Sequence, residues 1–458
     1  MCCRISREND RNIIKCRMDK LVTYIRQWCS DWYSIFAREL KHIFSDSGVL
    51  VIFFLAGLAY PVLYGLIYGN GSVTDMPIAV VDRSGCSTSR KFVRGLDATR
   101  ELEVSRRCTD MGEAVRLMRE RKVKGIVLIP EDFEDRLAAT EQAGISVYAD
   151  MSSFLYYKNL TAGVNLVMLD AMHEIQEARF SASGITGEQV SQLVSPVLYE
   201  ENIPYNRNFS YNIFFLSAVL LLVIQQTMFY GVSMLTGTMR EENRSFAILP
   251  DRFKSRGISR TVLGRGAAYW LIYICTGVYV AALVPEMFGL PQNCPFPQIF
   301  VLLLFYVSAC VVFSFVFSSF IRHRETVFVL FLFMSPVCLF LTGFSWPESS
   351  FPEFWKAFSC IFPSTFAVRA FINMNSAGAS LALAAPQISA LAIQTIVYYI
   401  LSCIAVFVEN RLHADKTGNQ YSTLSGLAAH SRKAAAASSE SSLSDFNDRS
   451  SGLRSSSL

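Results

Sequence analysis

The chain has 458 residues, of which 52% are hydrophobic and only 17% are charged. Soluble proteins carry about 25% charged residues, so this composition leaves too few ionic groups to cover several soluble domains. The net charge of +4 is too small to indicate a nucleic-acid partner, and the apolar content excludes a wholly disordered chain. The composition indicates a membrane protein.

Six stretches are long and apolar enough to cross a bilayer, which takes about 20 residues per helix. They lie between charged residues at 49–68, 211–235, 266–285, 299–320, 326–346 and 388–408. Lysine and arginine are concentrated before the first stretch, between the second and third, and between the fourth and fifth. Because short cytoplasmic loops are enriched in these residues, the sequence predicts six transmembrane helices with both termini in the cytoplasm.

Residues 69–210 are predicted to form a domain outside the cytoplasm. Short apolar segments at 76–81, 102–105, 123–129 and 145–148 alternate with amphipathic segments. Strands that alternate with helices are typical of an α/β unit. The predicted fold class is therefore an α-helical membrane protein with six transmembrane helices and an inserted α/β extracytoplasmic domain.

Four cysteines are predicted to lie outside the cytoplasm, where disulfides persist. Cys86 could pair with Cys108, and Cys294 with Cys360. Free thiols are an equal alternative, and the sequence leaves the choice open.

Residues 1–48 are predicted to form a cytoplasmic N-terminus that ends in a helix along the membrane surface. Trp32 and Phe36 recur at helical spacing with other apolar residues, whereas Arg38, Glu39 and Lys41 occupy the remaining circumference. A helix divided in this way directs its aromatic face to lipid and its charges to headgroups. The alternative is a soluble amphipathic helix packed on another domain, but no other sizeable cytosolic domain is present to receive it.

The remaining connections differ from one another in composition. The cytoplasmic stretch 236–265 is charged, then apolar, then basic, so it either presents a short helix to a soluble partner or lies solvated at the headgroups. The stretch 347–387 mixes aromatic residues and prolines with few charges, which favours a re-entrant hairpin in the outer leaflet over an ordinary interfacial helix. Residues 411–458 are rich in serine and alanine and are predicted to be a disordered cytoplasmic tail.

The main cluster of polar residues predicted to lie inside the bilayer is in the second span and consists of Gln225, Gln226 and Thr227. These side chains either line a transport path or form hydrogen bonds between helices. The spans have no internal aspartate, glutamate, lysine or arginine, groups that ion-coupled carriers usually need in the bilayer. Their absence disfavours an ion-coupled carrier and favours a path for amphipathic cargo.

This layout resembles the permease subunits of type-2 ABC exporters, in the branch with a large extracytoplasmic domain between spans one and two. Three segments carry the resemblance: ARELKHIFSDSGVLVIFF, TMREENRSFAILPDRFKSRGISRTVLGR and GFSWPESSFPEFWKAFSCIFPSTFAVRAF. In such permeases they form an elbow helix, the coupling helix that docks on the ATPase, and the re-entrant hairpin. The residues assigned to these parts are, in the same order, Trp32, Phe36, Arg38, Glu39 and Lys41; Arg240, Glu241, Glu242 and Arg244; and Trp346, Pro347, Pro352, Trp355 and Pro363.

The sequence contains no phosphate-binding G-x-x-x-x-G-K-[ST] motif, so we expect a transport subunit rather than an enzyme, with no cofactor, metal or catalytic residue of its own. The resemblance implies ATP-Mg on a separate ATPase, a second permease half that is a copy or a paralogue, and location in the bacterial cytoplasmic (inner) membrane. It leaves open whether a periplasmic adaptor joins the complex.

The predicted function is half of a translocation path for an amphipathic or hydrophobic substrate, such as a drug-like molecule or a lipid-linked compound. The alternative is a membrane-anchored receptor or scaffold whose extracytoplasmic domain binds a ligand or partner. A receptor needs only one or two spans and a cytoplasmic output domain, and the sequence predicts six spans and no such domain.

Overall fold

The computed structural model describes residues 2–69, 73–185, 188–194, 211–242, 257–409 and 411. The chain divides into two compact units, Met1–Ile67 with Phe214–Leu458, and Tyr68–Ile213. Arg244 of the predicted coupling segment and the predicted tail beyond Arg411 lie outside the described residues.

Helices account for most of both units. In chain order they are α1 (Cys2–Ser45), α2 (Ser47–Ile67), α3 (Ser87–Ala98), α4 (Met111–Arg119), α5 (Phe133–Ala138), α6 (Phe154–Ala182), α7 (Glu188–Val194), α8 (Tyr211–Glu241), α9 (Ile258–Met287), α10 (Phe296–Ser318), α11 (Thr326–Leu341), α12 (Glu353–Ser359), α13 (Pro363–Ser376) and α14 (Ala385–Glu409). The strands are β1 (Met76–Asp82), β2 (Leu102–Cys108), β3 (Gly125–Ile129) and β4 (Ser146–Ala149).

Among the described residues, five helices are long and apolar enough to cross a membrane: α2, α8, α9, α10 and α14. The pair α12 and α13 is bent by 89° and gives a sixth candidate if it is counted as one broken span. Of the five, α8 is largely buried among its neighbours, whereas α2 and α14 leave most of their apolar residues exposed. The outer faces of α2 and α14 therefore suit contact with lipid.

The predicted fifth span, 326–346, corresponds to α11, which has 16 residues and ends at Leu341. Gly343 follows with a φ of 78°, a left-handed conformation that commonly terminates helices. Apolar composition alone did not reveal this stop, so the sequence overestimated the length of the helix.

Two other helices extend past the predicted spans at their charged ends. α8 continues to Glu241 rather than stopping at 235, and α9 begins at Ile258 rather than at 266. Charged residues mark where an apolar stretch ends, but they are good helix formers and do not end the helix itself. As a result, Arg240, Arg260 and Arg265 are helical residues.

The unit Tyr68–Ile213 contains a small sheet with strand order β2-β1-β3-β4. β1 pairs in parallel with both β2 and β3, and β4 is antiparallel to β3. Because side chains alternate between the faces of a strand, Ile78 and Val80 pack in a cluster with residues of α3 and α6, while Ala79 and Val81 pack with residues of α4. Helices therefore cover both faces of the sheet.

The four cysteines whose pairing the sequence left undecided are free thiols. Cys86 and Cys108 are buried in different hydrophobic clusters, on opposite faces of the sheet. Cys294 and Cys360 are also free. The structure thus selects the free-thiol alternative for all four residues.

Candidate functional site: an ion-pair junction and an apolar cavity

Two buried ion pairs attach α1 to α9. Arg260 Nη1 lies 3.0 Å from Asp31 Oδ2, and Arg265 Nε lies 3.3 Å from Glu39 Oε1. The Tyr269 hydroxyl donates a 2.7 Å hydrogen bond to Glu39. Because each carboxylate has a cation beside it, the cost of burying these charges is offset by pairing and hydrogen bonding.

The sequence placed Glu39 on the polar face of the elbow helix, and this placement was wrong. Glu39 is 5% exposed, because Arg265 and Tyr269 on the facing helix provide its partners. Arg38 and Lys41 are exposed, as a polar face requires. Trp32 and Phe36 are half-buried, with their rings stacked at 5.7 Å. The packed face of α1 therefore contains the acids Asp31 and Glu39 as well as the aromatic rings.

A second contact connects the start of α2 to the turn between α10 and α11. The Asp46 carboxylate accepts hydrogen bonds from the backbone N–H groups of Gly48 and Val49, which caps α2. Both of its oxygens also receive bonds from the Arg324 guanidinium, at 2.8 and 2.9 Å. The same guanidinium donates to Thr238 Oγ1 at the end of α8. One arginine thus connects three helix ends in a bidentate arrangement.

Close backbone packing supports this contact. A Cβ placed on Gly237 of α8 would lie 2.9 Å from the backbone nitrogen of Arg324. Backbone atoms cannot swing away as a flexible side chain can, so the glycine allows the α10–α11 turn to approach α8 closely.

The acid Asp46 makes the stability of this contact dependent on pH. Burial alone raises the pKa of the Asp46 carboxyl, but hydrogen bonds from Arg324, Val49 and Gly48 and the Arg324 charge together hold it below its ordinary value of 3.8. A lowered folded-state pKa contributes stability above the unfolded pKa, and that stability is lost as the pH falls through the folded pKa. We expect wild type to exceed Asp46→Asn in melting temperature above about pH 5, with the difference shrinking below pH 3.8. Melting curves from pH 7 to 3 check this; a difference independent of pH would contradict it.

Arg240 turns inwards at the end of α8. Its guanidinium lies 2.9 Å from Glu409 at the end of α14. It also donates to the carbonyl oxygens of Ser318, the last residue of α10, and of Ser319 and Ile321 just beyond it. Carbonyl oxygens at the C-terminus of a helix lack the backbone donors of the helix interior, and Arg240 supplies a donor there. Arg240 therefore caps α10 and joins it to α8 and α14.

The two acids next to Arg240 face outwards. Glu241 is exposed, although its carboxylate accepts a 2.8 Å bond from the backbone N–H of Arg324 and lies 3.7 Å from His323. Glu242 is also exposed. Of the described members of the predicted coupling cluster, the acids are therefore accessible, whereas Arg240 is engaged inside the chain.

We call these contacts the ion-pair junction. Its members are Asp31, Glu39, Asp46, Arg240, Glu241, Arg260, Arg265, Arg324 and Glu409. The junction includes α1, the starts of α2, α9 and α11 and the ends of α8, α10 and α14, so these six termini lie at one end of the helical unit. At the other end, Asn293 between α9 and α10 bonds to the backbone of Asn375 and Ser376.

The predicted hairpin residues begin a series of short helices. Pro347 precedes a single 3₁₀ turn, Pro352 precedes α12, and Pro363 is the first residue of α13. Proline suits these positions because its fixed φ fits a helix start and its missing N–H would be unpaired there. Trp346 and Trp355 are exposed, whereas much of α13 is buried.

Arg369, which no sequence pattern singled out, connects the hairpin to α11. The Arg369 guanidinium pairs with Glu348 and donates to the carbonyl oxygen of Thr342. Thr342 follows the last residue of α11, so the arginine caps that helix. The available signal was that Arg369 is one of only four charged residues in the stretch 347–387.

The three polar residues of α8 have different partners. The Gln225 side-chain oxygen accepts a 2.7 Å bond from the backbone N–H of Ser364, and Gln226 exchanges two hydrogen bonds with Ser335 of α11. Thr227 donates to a carbonyl of its own helix. Both glutamines therefore connect helices, and both also border a cavity.

That cavity has a volume of about 480 Å³ and lies among α8, α10, α11 and α12. Seven aromatic side chains border it: Phe229, Tyr230, Phe313, Phe317, Phe320, Phe358 and Phe362. The other bordering residues are Gln225, Gln226, Ile321, Thr326, Leu330, Met334, Cys338 and Ile361. None of the described residues that border it is charged. Such size and composition are typical of small-molecule sites.

Comparison with known proteins identifies the family of the chain. A family model for ABC-2 family transporter proteins matches residues 48–404, from the start of α2 to near the end of α14. No curated protein matches the chain. Since the family model covers well over half of the chain, the protein belongs to the ABC-2 family, the membrane-spanning permeases of ABC transporters.

Proposed function

We propose that the chain forms one half of an ATP-driven exporter for amphipathic or hydrophobic compounds in a bacterial cytoplasmic membrane. Family membership implies a partner ATPase and a second permease half. In this proposal the polypeptide crosses the bilayer six times with both termini in the cytoplasm, and α11 forms the fifth crossing. The unit Tyr68–Ile213 is the extracytoplasmic α/β domain. Membership of a transporter family disfavours the receptor alternative.

The observation that carries the proposal is the ion-pair junction. Its positive residues Arg240, Arg260 and Arg324 lie beside short connections, which is where cytoplasmic arginine is expected. Its ion pairs connect α1 to α9, the start of α2 to the turn before α11, and the end of α8 to the end of α14. A displacement of one helix at this end would therefore be transmitted to α1 and to the other membrane helices. That is the mechanical connection required when ATP hydrolysis on one subunit moves another.

We place the ATPase contact at the end of α8, around Glu241 and Glu242. Both acids are exposed, whereas the Arg240 guanidinium side chain is 15% exposed and lies against Glu409 and the end of α10. In the proposed mechanism the acids meet the ATPase, and Arg240 transmits displacement from α8 to α10 and α14. This division of roles refines the sequence prediction, which assigned docking to all of these residues.

Reversing the charge of the two acids is expected to weaken ATPase binding. Opposed charges at an interface contribute to partner choice and on-rate, so Glu241→Lys/Glu242→Lys should retain about tenfold less of the ATPase that copurifies with the wild-type chain. The measurement is the amount of ATPase and ATP hydrolysis recovered with the tagged permease at matched ionic strength.

The matched control is Glu353→Lys, an exposed acid at the start of α12. It changes charge in the hairpin, which the proposal places on the opposite membrane face, and should leave copurification unchanged. Normal ATPase recovery with the double variant would place the docking surface elsewhere. Failure of the wild-type chain to recover any ATPase would argue against the exporter function itself.

A further inference from the structure

We propose that each permease half contains its own ligand site, the cavity bordered by α8, α10, α11 and α12, and that this site binds uncharged, ring-containing amphiphiles. Every residue that borders this cavity belongs to one chain, so the site is built without residues of the second permease half. The inference deepens the proposed function by naming a cargo class and rests on that function only for the step from binding to export.

The walls of the cavity favour ring systems. Phe313 lies at the centre of an aromatic cluster, with ring centroids 4.5 Å from Phe317, 5.8 Å from Phe229 and 6.0 Å from Phe362. Aromatic side chains at these separations pack edge-to-face or offset, and a ligand ring can join them in the same geometry. The volume of 480 Å³ is about three times that of an apolar cavity known to hold one benzene ring. The expected ligand therefore has two or three rings.

At the polar end of the cavity, Gln225 favours a ligand that carries one hydrogen-bond acceptor. Gln225 is 2% exposed, and its side-chain oxygen is taken by the backbone of Ser364. Gln225 borders the cavity, and the remaining hydrogen-bonding group of its side chain is the amide NH₂, a donor. A ligand that carries a carbonyl, ether or hydroxyl oxygen would accept from it.

The lack of charge at the cavity excludes ionic ligands. No described residue that borders it is an acid or a base. Moving an ionised group from water into such a place without a partner costs far more than an aromatic contact returns. Binding should therefore discriminate strongly between a neutral compound and its charged analogue of the same shape.

α11 forms one wall of the cavity. Leu330 and Met334 face the cavity, whereas Leu332 and Phe333, on the other side of the same helix, are more than 60% exposed. The helix also contains Pro336, which removes one backbone hydrogen bond. The two sides of α11 therefore provide a matched pair of positions for testing the site.

The test uses 4-(hydroxymethyl)benzophenone, a neutral two-ring compound that attaches covalently to nearby C–H bonds when irradiated. The purified full-length chain, reconstituted in lipid nanodiscs without the ATPase, is irradiated with this probe, and labelled peptides are identified by mass spectrometry. We expect labels on the segments around Phe313, Met334 and Phe358. The anionic analogue 4-benzoylbenzoate should label them at least about tenfold less.

Filling the cavity gives the decisive comparison. Met334→Trp should lower labelling around Phe313 and Phe358 by about tenfold, and Leu332→Trp, on the exposed side, should leave it unchanged. Leu330→Trp provides a second filling variant if Met334→Trp elutes as an aggregate on size exclusion. Labelling that persists in a folded filling variant, that is confined to the exposed faces of α2 and α14, or that is equal for the anion would overturn the proposal. Loss of ATPase copurification would leave the labelling result unaffected, so the two proposals fail separately.

Discussion

A Glu39→Leu variant is expected to lose about 3–5 kcal/mol of stability, the usual cost of removing one partner from a buried ion pair. Arg265 would keep its charge in a position where its side chain is only 8% exposed. The Tyr269 hydroxyl, which is fully buried, would also lose its acceptor. Unfolding of the purified chain by sodium dodecyl sulfate in mixed micelles, followed by circular dichroism, measures the change.

The double variant Glu39→Leu/Arg265→Met separates charge burial from packing. Replacing both members of a buried pair by apolar residues of similar size is often neutral or stabilising, so the double variant should recover most of the loss. Lys41→Leu, an exposed neighbour on α1, serves as the surface control and should change stability by less than about 0.5 kcal/mol. A double variant as unstable as the single one would show that Glu39 acts through shape rather than through charge.

The sequence predicted the apolar segments well because they follow from local physics. Charges are excluded from a hydrocarbon core, so charged residues such as Asp46 and Arg324 bracket the apolar stretches in the printed sequence. The prolines of the hairpin are equally local signals, since Pro352 and Pro363 fix the φ angle at helix starts. Gly343 was a local signal that was not used, and the predicted end of α11 was too late for that reason.

The partners of the charged residues could not be predicted from local patterns. Glu39 is separated from Arg265 by more than 200 residues of sequence, and helical periodicity describes only which face of one helix is polar. Helical periodicity assigned Glu39 to the polar face of the surface helix, because nothing near Glu39 in the sequence shows that a cation will face it. The aromatic cavity is invisible for the same reason, because Phe229, Phe313 and Phe358 come from three separate segments that only the tertiary fold brings together.

Arg240 illustrates how a residue that a resemblance assigns to one contact can make another contact in the folded chain. The resemblance assigned it to the ATPase surface, whereas its guanidinium bonds to Glu409 and to carbonyl oxygens after α10. A contact with the ATPase and a contact within the permease predict different effects of mutation on the stability of the isolated permease. Removing a contact with the ATPase leaves the stability of the isolated chain unchanged. Removing an intramolecular contact lowers it.

An Arg240→Met variant is therefore expected to destabilise the isolated permease by about 1.5–3 kcal/mol, the range for hydrogen bonds to a charged group. Methionine keeps part of the apolar stem but leaves Glu409 without its cation and the end of α10 without its cap. Arg240→Lys should recover part of the loss, since lysine keeps the charge but not the forked geometry that reaches several acceptors at once. Melting curves of the purified chain without ATPase measure both effects.

The same variant should also uncouple the two subunits in a characteristic way. Because Glu241 and Glu242 remain in place, Arg240→Met should still copurify with the ATPase, but transport per ATP hydrolysed should fall as α8 loses its connection to α10 and α14. The charge-reversed Glu241→Lys/Glu242→Lys variant should show the opposite pattern, with weak ATPase binding and a smaller change in melting temperature. If Arg240→Met melted like wild type and lost only ATPase binding, its contact with Glu409 would be incidental, and the residue would belong to the docking surface after all.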